Sequence, residues 1–298
     1  MMTVATQRFT STRRQRSSDS RVAIHAIQTG IVRVRQNQVH GKGSGARRLA
    51  NTFFGREWSQ WLPVYAWLIE HPEGLILVDT GETPRTADSG YFPSWHPYYR
   101  RGVEIRVRPD QEIGPQLEKR GISPRDIRTV VMTHLHTDHA GGLHHFPDSE
   151  IIIARGEFGR ASGLEGRVRG YLPHRRPDWL DPTLIEPVDS PYGPFSASAP
   201  LTADGVVRIV PTPGHTPYHL SVVVEDDERL YFLAGDTSYN QDLLLEGAVD
   251  GVAPDDRAAI ETLARIRELA HLAPTVYLPS HDPDAAMRLV NNEIVAFS

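Results

Sequence analysis

The sequence contains no cysteine, no long apolar run and no large excess of charge of either sign. Without thiols the chain forms no disulfide bond, and any metal site must use nitrogen and oxygen ligands. The longest apolar stretches, such as residues 75–78 and 151–154, are too short to span a bilayer, so we expect no membrane partner. The formal net charge of -5 over 298 residues is too small to predict a nucleic-acid surface.

The first 21 residues are rich in serine, threonine and arginine and poor in apolar side chains. Such a composition cannot support a packed core, so we predict a mobile tail over residues 1–21. No apolar segment follows the arginines, which argues against a secretory signal. We therefore expect a cytoplasmic protein.

From residue 22 onward the chain alternates short apolar runs with turn and polar residues. The pattern predicts strands at 22–27, 31–34, 64–69, 75–78, 129–133, 150–154, 206–210, 220–224, 230–234 and 275–278. It predicts helices at 110–120 and 255–271. Because strands outnumber helices in both halves, two packed sheets with helices outside are favoured over a parallel βαβ array. Residues 156–201, rich in Gly, Pro, Arg and Ser, are interpreted as a loop-rich insertion.

The motif HLHTDH at residues 134–139 directly follows the predicted buried strand 129–133. Side chains of a strand alternate between faces, so His134 and His136 share one face. If the backbone turns sharply at Thr137, the side chains of Asp138 and His139 can point toward a second, neighbouring metal position. Imidazole and carboxylate are the ligands that zinc accepts when no thiolate is available. The spacing therefore predicts a site that can supply ligands to two metal ions.

Four more polar residues each follow a predicted strand. His215 lies in a Pro-Gly turn, Asp236 follows the strand 230–234, His281 follows the strand 275–278, and Asp79 follows the strand 75–78. Several strands that end together can bring such residues to one edge of a sandwich. We expect these side chains to complete the metal site.

The ordered set HLHTDH, GH, GD and SH resembles the metallo-β-lactamase superfamily over roughly residues 22–281. The resemblance implies an α+β fold, the αββα sandwich, with two mixed sheets packed face to face and helices outside. It implies a single domain over residues 22–298 that carries the insertion at about 156–201. It also implies two divalent metal ions, which we expect to be zinc.

The resemblance assigns the metal ligands position by position. The first metal would be held by His134, His136 and His215, the second by Asp138, His139 and His281, and Asp236 would bridge both. Asp79 would orient a ligand histidine by a hydrogen bond. His219 is expected to support the site rather than bind metal. His144 and His145 are interpreted as loop or packing residues.

Two metals can share a hydroxide that attacks the substrate and can polarise a substrate oxygen, which implies hydrolysis of an acyl or phosphoryl bond. Asp138 can carry a proton to the leaving group. Tyr239, three residues after Asp236, looks like the tyrosine of the N-acyl-homoserine lactonases, whose hydroxyl points at the substrate carbonyl or the opened alkoxide. The resemblance therefore implies opening of that lactone ring, with Asp138 and Tyr239 as catalytic residues. Tyr218, where that group has a small residue, is a departure from its pattern.

Two aromatic clusters fit a substrate with an apolar acyl chain: Phe53, Phe54, Trp58, Trp61, Tyr65 and Trp67, then Tyr91, Phe92, Trp95, Tyr98 and Tyr99. Of these, Trp67 lies inside an apolar strand and is interpreted as core. Alternative functions are hydrolysis of another lactone or carboxylic ester, or metal binding without catalysis. By analogy with the lactonases the chain is also expected to form a homodimer.

Overall fold

The computed structural model describes residues 22–297. The strands are β1 (Ala23–Val34), β2 (Leu62–His71), β3 (Gly74–Val78), β4 (Val103–Arg106), β5 (Ile127–Val131), β6 (Glu150–Ala154), β7 (Thr183–Ile185), β8 (Ala199–Pro200), β9 (Val207–Pro211), β10 (Leu220–Glu225), β11 (Leu230–Gly235) and β12 (Thr275–Pro279). The helices are α1 (Gln36–Val39), α2 (Gly45–Phe54), α3 (Pro97–Arg101), α4 (Ile113–Glu118), α5 (Thr137–Ala140), α6 (Arg155–Arg160), α7 (Gly163–Val168), α8 (Gln241–Glu246), α9 (Asp256–Leu272) and α10 (Ala285–Asn291). Short 3-10 turns lie at Pro84–Ala87, Pro109–Gln111, Pro124–Asp126, Leu143–His145 and Pro173–Arg175.

The strands form two mixed sheets. The first has seven strands in the order β4-β1-β2-β3-β5-β6-β7, and the second has five in the order β12-β11-β10-β9-β8. The first sheet is antiparallel from β4 to β3 and parallel from β3 to β7. In the second sheet only the pair β11–β12 is parallel among the described strands. The predicted α+β sandwich is therefore confirmed.

Side chains alternate between the two faces of each strand, so each sheet packs against the other sheet on one face and against helices on the other. Trp67 and Ile69 of β2 point between the sheets and pack with Val222 and Leu278 of the second sheet. The opposite face of the first sheet packs against α4, and the outer face of the second sheet packs against α9 through Leu263, Ile266 and Leu269. The order of layers is helix, sheet, sheet, helix.

Three predicted elements, two strands and one helix, differ from the structure. Segments 22–27 and 31–34 form one strand, β1, whose register shifts between Gln28 and Ile31. Gly30 allows this irregularity because its φ is +134° and a Cβ there would lie 2.8 Å from the Arg106 carbonyl oxygen. The helix predicted at 110–120 is shorter, since Glu112 is extended and separates the turn Pro109–Gln111 from α4.

The helix predicted at 255–271 corresponds to α9, which the Asp255 carboxylate caps by accepting from two backbone N–H groups. Residues 156–201 contain α7 and β7, and β7 extends the first sheet by pairing with β6. The predicted tail, residues 1–21, lies outside the described residues. No helix in the range 22–297 combines the length and apolar character needed to cross a membrane.

Candidate metal centre and substrate cavity

Five strands bring polar residues to one edge of the sandwich. Asp79 follows β3, His134 follows β5, His215 follows β9, Asp236 follows β11 and His281 follows β12. All five side chains are buried. Because the strands end together, residues far apart in sequence meet at a single point, as the sequence predicts.

Three imidazoles form the first group of the centre. His134 Nε2 lies 3.0 Å from His136 Nδ1, which lies 3.0 Å from His215 Nε2. His136 is the residue before α5, and its ring stacks on Tyr171 with centroids 5.0 Å apart. The predicted first ligand set is thus assembled as one cluster of nitrogen atoms.

The second group contains Asp138 and His139 of α5 together with His281. Asp138 Oδ2 lies 3.4 Å from His281 Nε2. Asp236 lies between the two groups: its Oδ1 is 3.2 Å from His139 Nε2 and 3.4 Å from His281 Nε2, while its Oδ2 is 3.4 Å from His215 Nε2. One carboxylate therefore faces both groups, which is the placement that a bridging ligand requires.

The donor set fits a divalent metal. His139 Nε2 and Asp236 Oδ1 are buried, and within the described chain neither atom has a hydrogen-bond partner although they face one another. A buried polar atom without a partner is costly, and a cation between these atoms would satisfy both. Imidazole nitrogen and carboxylate oxygen are accepted by zinc, manganese, iron and cobalt.

Two groups of the centre are already in the protonation state that binds a metal. Burial, and then the nearby His215 ring, lower the pKa of His136 to about 3, so that ring is neutral and has a free lone pair. Burial would raise the pKa of Asp138, but its hydrogen bond to His281 and the neighbouring His139 ring outweigh it and bring the pKa to about 2. Neutral imidazole and ionised carboxylate are the ligating forms. Burial lowers the pKa of His281, but Asp236 and Asp138 outweigh it and raise that pKa to about 10, so a metal would replace a proton on this ring. Burial likewise lowers the pKa of His139 and of His215, and neighbouring carboxylates outweigh it and raise both.

Most of the clustered histidines have a partner on their other ring nitrogen. Asp79 lies 2.8 Å from His139 Nδ1, and the Pro63 carbonyl oxygen lies 2.8 Å from His281 Nδ1. The hydrogen bond expected between Asp79 and a ligand histidine is therefore present. Such partners fix the tautomer and orient the ring toward the metal side.

His219 supports the centre without facing it directly. Its Nε2 accepts a hydrogen bond from the backbone N–H of Asp236 at 3.1 Å, and its Nδ1 lies 2.8 Å from Thr212 Oγ1. Gly235 permits this approach, because its φ is +55° and a Cβ there would lie 2.6 Å from His219 Nε2. His219 thus sets the position of Asp236 through the backbone.

Sequence reasoning did not find two buried carboxylates near the centre. Asp250 Oδ2 lies 2.8 Å from His215 Nδ1, and Asp250 belongs to the loop between α8 and α9. Glu157, at the start of the predicted insertion, accepts hydrogen bonds from Leu135 N at 3.1 Å and from the Tyr171 hydroxyl at 3.0 Å. Neither residue belongs to a local motif, so only the tertiary fold reveals them.

Tyr239 lies beside the second group, with its ring stacked on His281 at a centroid distance of 5.6 Å. It is only 4% exposed. Gln38 Nε2 donates to the Tyr239 hydroxyl at 2.9 Å and to the Tyr98 hydroxyl at 3.1 Å. Because both phenol oxygens accept from one amide, both O–H groups remain available as donors. Gln38 and Tyr98 were not predicted as polar residues of the site.

A cavity of about 500 Å³ opens over the centre. Its polar wall includes His136, Asp138, Asp236, Tyr239 and His281. Its apolar wall is formed by Val32, Val34, Leu49, Phe53, Val103 and Ile105. The cavity therefore joins a polar reaction centre to an apolar arm.

The aromatic clusters contribute less to this cavity than predicted. Only Phe53, Tyr98 and Tyr99 of the predicted set line it among the described residues. Trp67 and Tyr65 lie in the core, Phe54 is 83% exposed and Trp95 is 51% exposed. Trp58 and Trp61 pack against arginine guanidinium groups. The arm is mainly aliphatic because β1 and β4 turn valine and isoleucine side chains toward it.

Comparison with known proteins identifies one family and several relatives. The sequence model of the metallo-β-lactamase superfamily matches residues 59–281 of the chain. A protein of Mycobacterium tuberculosis described as a "probable metallo-hydrolase" is 30% identical over 237 residues, which cover 73% of this chain and 74% of the relative. An N-acyl homoserine lactonase of a Bacillus species is 30% identical over 225 residues, which cover 74% of this chain and 82% of the relative.

A solved structure matches the fold over more of the chain than these sequence relatives do. It is an N-acyl homoserine lactone hydrolase with the product N-hexanoyl-L-homoserine bound at its catalytic metal centre. The match has a TM-score of 0.70 and 22% sequence identity, and it covers 92% of this chain and 96% of the other.

Proposed function

The chain is a metallo-hydrolase of the metallo-β-lactamase superfamily, and we propose that it opens the lactone ring of N-acyl-homoserine lactones. The observation that carries this proposal is the position of Tyr239, stacked on His281 where the polar centre meets the apolar arm. A neutral donor at that junction suits a carbonyl group attached to an apolar chain. The lactonases among the relatives support the choice of substrate.

We propose that the centre holds two zinc ions. The first would be held by His134, His136 and His215, the second by Asp138, His139 and His281, and Asp236 would bridge both. When bound, such ions supply an activated water at neutral pH and polarise the substrate carbonyl. The surrounding protein holds the ligands in their binding forms through Asp79, Asp250 and the Pro63 carbonyl group.

Tyr239 donates to the oxygen atom on which negative charge develops as the ring opens. Burial, and then the charge of Asp236, raise the pKa of Tyr239 well above its ordinary value, so the phenol keeps its proton at neutral pH. Gln38 occupies the lone-pair side of that hydroxyl and leaves its proton free for the substrate. Tyr98, held by the same amide, offers a second O–H group to the cavity.

Asp138 carries the proton of the reaction. It lies at the cavity wall and contacts His281. In lactone hydrolysis water adds to the carbonyl carbon, the ring C–O bond breaks, and the leaving alkoxide takes up a proton. We assign to the Asp138 carboxylate the transfer of the proton from the attacking water to that alkoxide.

The apolar arm would hold the acyl chain. Its walls come from Val34 of β1, Phe53 of α2 and Ile105 of β4, all of which line the cavity. Val168 and Tyr171, inside the segment 156–201, line the same cavity. This shared lining supports our proposal of one hydrolase domain from residue 22 onward that includes that segment.

The proposal is tested by product analysis. The zinc-loaded protein is incubated with N-hexanoyl-homoserine lactone, and the products are identified by mass spectrometry. We expect a product heavier by one water, the open-chain N-hexanoyl-homoserine, and we expect its formation to stop on chelation. Formation of free hexanoic acid, which requires cleavage of the amide bond, would contradict the lactonase assignment.

A further inference from the structure

We propose that Glu112, His144 and His145 form an additional divalent metal site, separate from the centre described above. Glu112 is the residue before α4, and the two histidines end the 3-10 turn Leu143–His145, which follows α5. One ligand atom from each residue lies within 4.8 Å of the others. This site does not rest on the lactonase proposal.

The distances among the three residues suit a shared cation. His144 Nε2 lies 3.4 Å from Glu112 Oε1, and His145 Nε2 lies 3.4 Å from Glu112 Oε2. Glu112 is only 9% exposed, and in the described part of the chain Glu112 Oε1 and His145 Nε2 are buried without a hydrogen-bond partner. Each imidazole Nε2 therefore faces a different oxygen atom of the one Glu112 carboxylate.

The candidate metal centre contains imidazole and carboxylate atoms at the same separation. There too His281 Nε2 lies 3.4 Å from Asp138 Oδ2, and His215 Nε2 lies 3.4 Å from Asp236 Oδ2. Two ligands at about 2.0–2.1 Å from a tetrahedral zinc ion are separated by roughly 3.3–3.4 Å. In both places a carboxylate oxygen and an imidazole Nε2 therefore lie at a separation that two ligands of one zinc ion can have.

The ring of His144 is also oriented as a ligand. Its Nδ1 lies 3.2 Å from the Gly141 carbonyl oxygen, so Nδ1 carries the hydrogen and Nε2 keeps its lone pair. Burial, and then the neighbouring His145, lower the pKa of His144, which favours the neutral ring. The lone pair of a neutral Nε2 and the Glu112 carboxylate could both bind one cation placed between them.

The scaffold holds the three ligands in place. Ile113, Leu143 and Phe146, which flank them in sequence, are fully or almost fully buried in one apolar cluster. Gly114 leaves room for the imidazole of His145, because a Cβ there would lie 2.5 Å from its Nδ1. Little ordering is therefore needed when a metal binds.

The ligand chemistry and access define the class of ion. Two imidazoles and one carboxylate select borderline divalent metals such as zinc and cobalt rather than calcium or magnesium. The His144 side chain is 41% exposed, so the ion can enter from solvent and water can complete its coordination. Arg85 lies close enough to oppose a positive ion electrostatically, so we expect weaker binding than at the main centre.

The test measures the amount of bound zinc per chain rather than enzymatic activity. Wild-type protein, His144→Gln and His145→Gln are dialysed against buffers of fixed free zinc concentration, and bound zinc is measured by mass spectrometry. His40→Gln serves as the matched control, since His40 is an exposed histidine outside the cluster. We expect each of the two cluster variants to lose one zinc equivalent per chain, and the control to bind as the wild type does.

Equal zinc content in all four proteins up to about 0.1 mM free zinc would overturn the proposal. If His145→Gln fails to fold, His144→Gln still decides the question because its ring is half exposed. A crystal of the wild type soaked in zinc gives a second readout. We expect an anomalous peak between the two Nε2 atoms and the Glu112 carboxylate, and the absence of that peak would contradict the site.

Discussion

Replacement of Asp250 by asparagine should weaken metal binding although it keeps the size of the side chain. Asp250 Oδ1 accepts hydrogen bonds from Val252 N and Ala253 N, both at 2.7 Å, while Oδ2 lies 2.8 Å from His215 Nδ1. Only oxygen can accept from the two backbone N–H groups, so the asparagine oxygen must take the Oδ1 position. Its NH2 group then donates to His215 Nδ1.

That hydrogen bond favours the tautomer of His215 that cannot bind a metal. When Nδ1 of His215 accepts, the proton moves to Nε2, the atom that faces His136 and Asp236. A protonated Nε2 cannot ligate a metal. Loss of an outer hydrogen-bond partner typically costs about 10- to 100-fold in metal affinity. This loss corresponds to about 1.4–2.8 kcal/mol.

Metal affinity is measured by competition with a chromophoric chelator, together with the thermal stability of the metal-free protein. We expect Asp250→Asn to bind metal about 10- to 100-fold more weakly. In the metal-free variant both backbone hydrogen bonds are kept, but the buried pair of Asp250 and His215 loses its carboxylate charge, so some stability should also be lost. Asp148→Asn, an exposed carboxylate 3.5 Å from Arg125, is the control. Unchanged affinity in Asp250→Asn would refute the tautomer argument.

Three further substitutions test the proposed roles. Tyr239→Phe should retain metal and reduce lactone turnover several-fold, and loss of metal instead would make Tyr239 a structural residue. Asp236→Asn should disturb both metals together, since this carboxylate faces both groups, and metal analysis that finds only one affected ion would contradict the bridging role. Phe53→Ala should lower kcat/KM about five-fold more for long than for short acyl chains, as expected for about 1 kcal/mol of lost apolar contact. Phe54→Ala, with its ring in solvent, should leave that ratio unchanged.

Much of the fold and of the candidate centre is predictable from sequence because the signals are local. Apolar runs mark the strands, and His134, Asp236 and His281 each come shortly after one. Strand ends at one edge of a sandwich must meet, so spacing in the sequence translates into proximity. Helix α9 is likewise predicted by its N-cap and its apolar periodicity.

Other parts of the site depend on contacts between distant segments. Asp250 and Gln38 reach the centre from loops and a one-turn helix, and their sequence neighbours carry no motif. Glu112 lies 32 and 33 residues before the histidines that it faces, so His144 and His145 look like loop or packing residues in sequence. Local pattern cannot report such pairs.

The aromatic clusters show a different failure of local reasoning. Composition indicates many apolar rings near the site but not the direction in which each one points. Trp95 and Phe54 turn toward solvent, whereas Trp67, predicted as core, does lie between the sheets. The arm of the cavity is built instead from Val32 and Ile105, whose side chains the pairing of β1 with β4 places beside each other.

The measurement that tests the central claim most directly is a comparison of kcat/KM for lactones with and without an acyl chain. The zinc-loaded protein is assayed by proton release on N-acyl-homoserine lactones of several chain lengths and on γ-butyrolactone. The account predicts turnover of the acylated lactones, a higher kcat/KM than for γ-butyrolactone, and loss of activity on chelation. No turnover of any acylated lactone by protein with its metals bound would contradict it.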